Sequence, residues 1–300
     1  MRMEVLEVNH LVKSYSGKTA VNDLSFSVVS GETMGLIGPN GAGKSSTVKM
    51  ILDLIRPDSG KVDIFGHPMN EDTKNLIGYL PEERGLYNNL SVIDVIIYLA
   101  TLKGMDKVLA EKKATVLLQQ AGMLENKKKK IKHMSKGMMQ IIQFIVTIIH
   151  DPKLLIMDEP FSGLDPVNTV LIKDMIDHLR DEGKAIILST HQMNQVEELC
   201  DRVLMIKNGS EVLSGNLKNI KSKFEEHSVQ VNVEGEIGEL SGVIDKKFNK
   251  DGVKLVLAPD TTPQSVLDQL RNQGLTINRF EITTPSLNEI FLHVAQEIHE

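Results

Sequence analysis

The segment Gly38–Ser45 carries the residue types that bind nucleotide phosphates, in the spacing Gly-x4-Gly-Lys-Ser of a P-loop. Its glycines let backbone N–H groups converge on phosphate oxygens. We expect Lys44 to reach the outer phosphates as a point charge and Ser45 to place its hydroxyl on Mg²⁺. The motif therefore predicts a nucleoside triphosphate site formed by Gly38, Pro39, Asn40, Gly41, Ala42, Gly43, Lys44, Ser45 and Ser46.

Two elements must position this loop, a strand before it and a helix after it. The apolar run Thr33–Ile37 predicts a buried strand, and Ser46–Ile55 has apolar residues at helical spacing. The helix would direct the positive end of its dipole at the phosphates. A glycine-rich turn that binds nothing is the alternative, but strand, turn and helix together are the context in which the motif binds a nucleotide.

Further polar residues follow two other apolar runs that read as buried strands. Asp158 and Glu159 come directly after Lys153–Met157, and His191 follows Lys184–Ser189. Strand carboxyl ends are where ligands bind in parallel sheets. Asp158 is suited to hold Mg²⁺ through its water shell, and Glu159 to polarise an attacking water as general base. A surface acidic pair and a structural histidine are the alternatives, and their position after buried strands favours the catalytic interpretation.

Composition and charge narrow the class of protein. The chain has 300 residues, of which 41% are hydrophobic and 25% charged, as in ordinary globular proteins of one large or two smaller domains. A net charge of -6 disfavours a duplex nucleic-acid binder. The single cysteine, Cys200, favours a reducing compartment, and a buried inert thiol is its expected state. The N-terminus lacks a signal-peptide pattern and the apolar run Ile141–Ile149 is too short to cross a bilayer, so we expect a cytoplasmic protein.

Alternating strands and helices predict an α/β fold with a mostly parallel central sheet. The runs Glu4–Val8 and Leu24–Val28 alternate apolar and polar residues, as half-buried antiparallel strands do. Residues 90–103 and 107–122 read as helices. The pattern changes near residue 222, so we expect one domain over residues 1–222 and a small α+β domain over 223–300, in which we find no catalytic constellation.

The ordered motifs of residues 1–222 resemble the nucleotide-binding subunits of ATP-binding-cassette (ABC) transporters. Tyr15 matches the aromatic residue that stacks on adenine in that family, and His191 its switch histidine. The other matching segments are Gly38–Ser45 (Walker A), Leu154–Glu159 (Walker B), Met134–Met138 (signature) and Ser162–Asp165 (D-loop). The resemblance implies a P-loop cassette with an antiparallel β subdomain and a helical subdomain, binding ATP and Mg²⁺.

The resemblance also implies partners. In that family two cassettes sandwich ATP, the Walker A loop of one facing the signature of the other. Ser135 and Gly137 precede a helix expected from Met138 to His150, whose N-terminal amides suit a γ-phosphate. Asp165 of the D-loop joins this candidate site. A single copy of each motif implies a homodimer, or a heterodimer with a related cassette. The resemblance also implies a separately encoded integral-membrane permease, which would hold the dimer on the inner face of the cell membrane.

Some positions depart from the commonest family pattern. The signature usually reads Leu-Ser-Gly-Gly-Gln, whereas this chain has Lys136 and Met138. Glu82 stands where most members have glutamine; it keeps an oxygen for the Mg²⁺ site but adds a negative charge. The sequence leaves open whether Glu82 strengthens the metal contact or alters how its loop relays the nucleotide state.

Two segments, Pro81–Tyr87 and Thr284–Phe291, look like an exporter subgroup that includes sodium-extrusion and multidrug or antibiotic efflux ATPases. The main functional hypothesis is therefore the ATPase subunit of a membrane exporter. The alternative is a soluble ABC-type ATPase acting on ribosomes or nucleic acid, whose relatives generally carry two cassettes, a long coiled coil or zinc-binding cysteines.

Two surface features have open interpretations. The segment Leu86–Leu102 would, by the resemblance, receive a coupling helix of the membrane subunit, while ordinary core packing explains its apolar content equally well. Lys127–Lys130 and Lys132 form a conspicuous charge run. A solvated loop is the favoured interpretation, and contact with anionic lipid headgroups is the alternative.

Overall fold

The computed structural model describes residues 3–83, 85–223, 228–258, 260–283 and 286–291. The chain divides into two compact units, Met1–Gly215 and Asn216–Glu300. This division falls shortly before the change in composition at residue 222, because the helix Leu217–Lys223 has its closer contacts within the second unit. Arg84, Thr284 and Pro285, which belong to the two exporter-like segments, lie outside the described residues.

The first unit is built on a six-stranded sheet and a three-stranded sheet. Its strands are β1 Glu4–Tyr15, β2 Lys18–Val29, β3 Glu32–Ile37, β4 Ser59–Ile64, β5 Ile77–Leu80, β6 Leu154–Asp158, β7 Ala185–Thr190, β8 Arg202–Lys207 and β9 Ser210–Asn216. Its helices are α1 Lys44–Ile51, α2 Glu71–Asn75, α3 Val92–Leu102, α4 Lys107–Gln120, α5 Lys136–Ile148, α6 Pro166–Asp181 and α7 Met193–Leu199.

The central sheet has the strand order β5-β6-β7-β3-β8-β9. The pairs β5–β6, β6–β7, β7–β3 and β3–β8 are all parallel, so their carboxyl ends share one edge. Every residue of β3, β6 and β7 is buried, which explains their nearly continuous apolar sequences. This shared edge carries the P-loop after β3, Asp158 and Glu159 at the end of β6, and His191 after β7.

The smaller sheet is antiparallel, in the order β2-β1-β4. Its long strands β1 and β2 are joined by a tight turn at Ser16 and Gly17, both with positive φ. This turn places Tyr15 and Lys18 opposite each other in the strand pair. The sequence predicted shorter strands here, because the irregular register between β1 and β2 interrupts the apolar–polar alternation.

The helices differ from their expected limits by a few residues. Helix α1 begins at Lys44 and ends before Leu52, shorter than the expected Ser46–Ile55, since Asp53 adopts a positive φ. Helix α5 begins at Lys136, two residues before the expected start, because the side chain of Ser135 caps it. The cap also explains why the signature segment itself forms the first turn of α5.

The second unit contains α8 Leu217–Lys223, α9 Pro263–Asn272 and a four-stranded antiparallel sheet. The sheet has the order β11-β12-β10-β13, with β10 Ser228–Glu234, β11 Val243–Asn249, β12 Gly252–Leu257 and β13 Thr276–Ile282. The sequence did not predict β11, which lies at the sheet edge and is mostly exposed, so it lacks a strand's apolar face. The predicted final helix over 286–295 is described only to residue 291, and residues 287–291 are helical.

Within the described ranges, no helix has the length and hydropathy needed to cross a membrane.

Candidate functional site

A cleft of about 510 Å³ opens at the carboxyl edge of the central sheet. Most of the residues that the sequence singled out for nucleotide binding and hydrolysis meet there. The lining residues are Tyr15, Lys18, Thr19, Ala20, Asn40, Gly41, Ala42, Gly43, Lys44, Ser45, Ser46, Glu82, Asp158, Glu159, His191 and Asn208. The volume suits a drug-sized ligand, which is the size class of a nucleotide.

The P-loop backbone requires glycine at two positions. A Cβ on Gly38, where φ is +152°, would lie 2.1 Å from the carbonyl oxygen of Ile206. A Cβ on Gly43, where φ is +114°, would lie 2.3 Å from the carbonyl oxygen of Ala20. Both distances are far shorter than a van der Waals contact, so any side chain at these positions would clash. Glycine therefore lets the loop backbone pack directly against neighbouring backbone, with its amides at the cleft.

Lys44 is the buried cation of the cleft. Its ammonium donates hydrogen bonds to the carbonyl oxygens of Gly38 (2.7 Å) and Pro39 (3.1 Å), which folds the side chain back over the loop. Burial lowers the pKa of Lys44, and the nearby carboxylates of Glu159 and Asp158 oppose this shift. A buried ammonium held among carboxylates and carbonyls is suited to bind phosphate oxygens.

Asp158 is fixed by two hydroxyl groups at the end of β6. Ser189 Oγ donates to Asp158 Oδ1 at 2.7 Å, and Ser45 Oγ donates to Asp158 Oδ2 at 3.3 Å. Ser45, Asp158 and Glu82 all bring side-chain oxygens to the cleft lining, and Mg²⁺ prefers oxygen ligands. The described residues form no all-protein metal cluster. Mg²⁺ is usually held by one or two protein side chains together with substrate phosphates and water.

Glu159 is held in a fixed orientation by three donors. Thr190 Oγ1 donates to Oε2 at 2.9 Å, while the backbone N–H of His191 donates to Oε1 at 3.1 Å. His191 Nδ1 lies 2.6 Å from the same Oε1, and since a carboxylate only accepts, the ring must donate there. Glu159 also has a positive φ of 50°, an uncommon backbone state that clusters at functional sites. The carboxylate is thus preorganised as a proton acceptor at the cleft.

The loop that carries Glu82 is tied to helix α5. The side-chain amide of Gln143 donates to the carbonyl oxygens of Pro81 (3.2 Å) and Glu83 (3.3 Å), on either side of Glu82. One turn earlier, Gln140 donates to the carbonyl oxygen of Pro160, which follows Glu159. The sequence analysis missed both glutamines, although two buried amides three residues apart on an otherwise apolar helix were a visible signal.

Five sequence-predicted residues are not among the described residues that line the cleft, namely Gly38, Pro39, Ser135, Gly137 and Asp165. Gly38 and Pro39 contribute through the carbonyl oxygens that accept from Lys44, whereas the other three have no such link to the cleft. Ser135 is exposed and caps α5 by accepting from the N–H of Met138 at 3.1 Å. Asp165 is exposed and caps α6; the hydrogen bond from the N–H of Asn168 lowers its pKa. These three residues therefore do not complete the site of their own chain.

Tyr15 lies at the mouth of the cleft with 45% of its surface exposed. The ammonium of Lys13 lies 5.7 Å from its ring centroid, which steadies the ring. The lining also includes residues that the sequence analysis did not single out, namely Lys18, Thr19, Ala20 and Asn208. They come from the first residues of β2 and from the β8–β9 turn, which only the folded chain brings beside the P-loop.

Family models match two parts of the chain. The model described as ABC transporter matches residues 21–162. The model described as ATP-binding protein DrrA1-3-like, C-terminal domain, matches residues 215–295.

Relatives of similar length match over almost the whole chain. The uncharacterized ABC transporter ATP-binding protein YhaQ of Bacillus subtilis is 39% identical over 99% of this chain and 100% of its own length. The linearmycin resistance ATP-binding protein LnrL of the same organism is 31% identical over 97% of this chain and 98% of its own length. Among solved structures, an ATP-binding subunit of an ABC transporter is 32% identical with a TM-score of 0.68, covering 73% of this chain and 93% of that one.

Proposed function

The chain belongs to the ATP-binding subunits of ABC transporters, and from that premise we propose that it drives an exporter through an ATP site shared between two copies. The similarities confirm the predicted resemblance to ABC transporter ATP-binding subunits. They also confirm the cassette fold and the prediction that the chain is a transport ATPase. The observation that carries the proposal is the cleft in which Lys44, Asp158 and Glu159 converge.

The hydrolysis step follows from the groups around Glu159. Lys44 and the P-loop amides would hold the phosphates, with Tyr15 on the adenine. Ser45, Asp158 and Glu82 would hold Mg²⁺, which supplies neutralisation of the charge that develops on the phosphates. The Glu159 carboxylate would accept a proton from the water whose oxygen attacks the γ-phosphorus, as the bond to the β–γ bridging oxygen breaks. His191 fixes this carboxylate through the 2.6 Å hydrogen bond.

Glu159→Gln tests this step. The amide keeps the size of the side chain but is a far weaker proton acceptor, so we expect turnover to fall by at least about a hundredfold. ATP binding, followed with a fluorescent nucleotide, is expected to persist, because Lys44 and the loop are unchanged. Turnover close to that of the unmodified protein would remove Glu159 from the role of general base.

The second copy is proposed because the signature residues lie away from their own cleft. Ser135, which is exposed, and Gly137, which is half-buried, lie at the start of α5, where the amides of the first turn have no helical carbonyl to bond. A helix N-terminus of this kind is a ready site for phosphate. A γ-phosphate held by Lys44 of one copy would therefore be completed by the Ser135 segment of the other.

The proposed membrane partner would dock beside helix α3. A groove of about 140 Å³ is lined there by residues including Leu86, Leu99 and Val146. A groove beside a helix that is lined in part by apolar side chains is typical of sites that receive a partner's helix.

Export, as the direction of transport, rests on two similarities. Residues 215–295 match the DrrA1-3-like C-terminal domain, and the relative LnrL is named for resistance to linearmycin. Cell fractionation at high salt tests the partner, because salt screens direct attraction to lipid headgroups: under these conditions the chain should be recovered with membranes only when a multi-span protein encoded beside it is co-expressed. Cosedimentation with ribosomes instead would support the soluble ABC-type alternative.

A further inference from the structure

A cluster of positive charge lies on the segment between α4 and α5. Five lysines fall within six residues, namely Lys127, Lys128, Lys129, Lys130 and Lys132. None of them forms an ion pair among the residues that the structure describes, and Lys128, Lys129, Lys130 and Lys132 are exposed. The surrounding stretches 86–98 and 124–133 contain only two carboxylates, Glu125 and Asp94, so the local excess is three positive charges.

This lysine segment is not a loose loop. Its backbone pairs with the residues before α3: the N–H of Ile131 donates to Leu90 O (3.0 Å), and the N–H of Lys132 donates to Asn88 O (3.1 Å). In the other direction, the N–H of Val92 donates to Lys129 O (3.0 Å). A bridge between Ser91 and Lys130 completes the pairing. The cations are therefore presented by a fixed backbone at little ordering cost.

The same pairing sets the lysines beside exposed apolar surface. Leu90, whose carbonyl accepts from Ile131, is 39% exposed, and Tyr87, whose carbonyl accepts from the N–H of Leu90 in a turn, is 49% exposed. Tyr98 packs against Tyr87 and is 43% exposed. Aromatic rings and lysines side by side are the composition found at the headgroup level of membranes, where the ring is partly apolar and the ammonium meets phosphate.

We infer that the surface formed by residues 87–90, Tyr98 and 127–132 binds a membrane rich in anionic phospholipid. The remainder of the chain carries net negative charge, since the total is -6 despite this cluster. An anionic bilayer therefore attracts this surface and repels the rest, which orients the protein on the membrane. Four exposed lysines that form no ion pair among the described residues, on a hydrogen-bonded backbone next to exposed aromatic residues, favour this over a solvated loop. The inference goes beyond the ATPase function and needs no permease.

The test is cosedimentation of the purified full-length chain with vesicles, without a permease. Vesicles of phosphatidylcholine alone are compared with vesicles that also contain phosphatidylglycerol, at low and high salt. Each lysine near an anionic surface contributes about fivefold to partitioning. Changing Lys128, Lys129, Lys130 and Lys132 together to Gln should therefore lower partitioning onto the anionic vesicles by roughly a hundredfold or more. High salt should lower binding of the unmodified chain in the same way, because it screens the attraction.

A matched control carries the same change of charge elsewhere. Lys107, Lys112, Lys218 and Lys250 are exposed, and their joint change to Gln should lower binding only slightly. Equal losses in the two variants would overturn the inference, as would equal binding of the unmodified chain to neutral and anionic vesicles. Binding to single-stranded RNA with none to the anionic vesicles would also overturn it and assign the surface to nucleic acid. ATP hydrolysis measured on the same samples separates this result from the proposed function.

Discussion

Gln143 offers a quantitative test of how helix α5 positions Glu82, one of the proposed Mg²⁺ ligands of the cleft. Its amide nitrogen makes the two hydrogen bonds that flank Glu82, to Pro81 O and Glu83 O. Its Oε1 is buried without a hydrogen-bond partner among the described residues. In Gln143→Leu the two lost bonds cost about 2 kcal/mol, and removal of the unsatisfied oxygen returns about 1 kcal/mol. The free energy of unfolding should therefore fall by only about 1 kcal/mol, so the variant folds.

The functional effect should be larger than this change in stability suggests. Without the two hydrogen bonds from Gln143, the loop no longer holds Glu82 in one place. Binding of Mg²⁺ must then also order this loop, which lowers the Mg²⁺ affinity. A loss of 1.4 kcal/mol is tenfold in an equilibrium constant, so we expect the Mg²⁺ midpoint for ATP hydrolysis to rise by up to about tenfold. Urea unfolding gives the stability, and a Mg²⁺ titration of hydrolysis gives the midpoint.

Thr147→Val is the matched control for Gln143→Leu. Thr147 lies one turn further along α5, and its hydroxyl is within hydrogen-bond distance of Gln143 O (2.9 Å) and Tyr79 O (3.3 Å), but not of the carbonyls that flank Glu82. Its loss should cost about 1 kcal/mol of stability and leave the Mg²⁺ midpoint unchanged. The reasoning is refuted if Gln143→Leu has the midpoint of the unmodified protein, or if both variants shift it equally.

Two further predictions concern the titratable side chains of Glu82 and His150. Glu82→Gln removes one negative charge beside the proposed phosphate site, so nucleotide should bind more tightly in the presence of a chelator. Added Mg²⁺ should then increase the nucleotide affinity less than it does in the unmodified protein. If the ratio of the affinities with and without Mg²⁺ is unchanged, Glu82 does not act on the metal. His150 is held neutral because burial lowers its pKa to about 4, while its Nε2 contacts Ile77 O at 3.0 Å. Its contribution to stability should be complete above its unfolded pKa near 6.5 and be lost as the pH falls towards about 4. Urea unfolding at several pH values should show this loss in the unmodified protein and a shallower one in His150→Gln; equal slopes would contradict it.

The sequence predicted the parts of the site whose chemistry is local. Gly38–Ser45, Asp158, Glu159 and His191 each follow a buried strand, and parallel strands necessarily bring their carboxyl ends together. Residue type and periodicity were therefore enough to place them at one edge of the sheet. The same periodicity, with strands alternating with helices, was enough to predict the α/β fold.

The missed residues depend on long-range contacts. Lys18, at the start of β2, and Asn208, in the β8–β9 turn, are about 190 positions apart in the chain. The site includes them only because both segments pack against the P-loop. Gln143 stands out in an apolar helix, but its role could not be predicted because it depends on which loop packs against that helix. Strand β11 was missed because an exposed edge strand has no buried face to set a period.

The proposed second copy is tested most directly by mixing two inactive variants of this chain. Lys44→Ala removes the phosphate-binding cation, and Ser135→Arg blocks the segment that would reach the partner's nucleotide. In a mixed dimer one of the two sites combines an intact Lys44 with an intact Ser135. An equal mixture should then recover about a quarter of the unmodified ATPase activity, since half of the dimers are mixed and each has one intact site. No activity in the mixture beyond the average of the two separate variants would contradict the shared site.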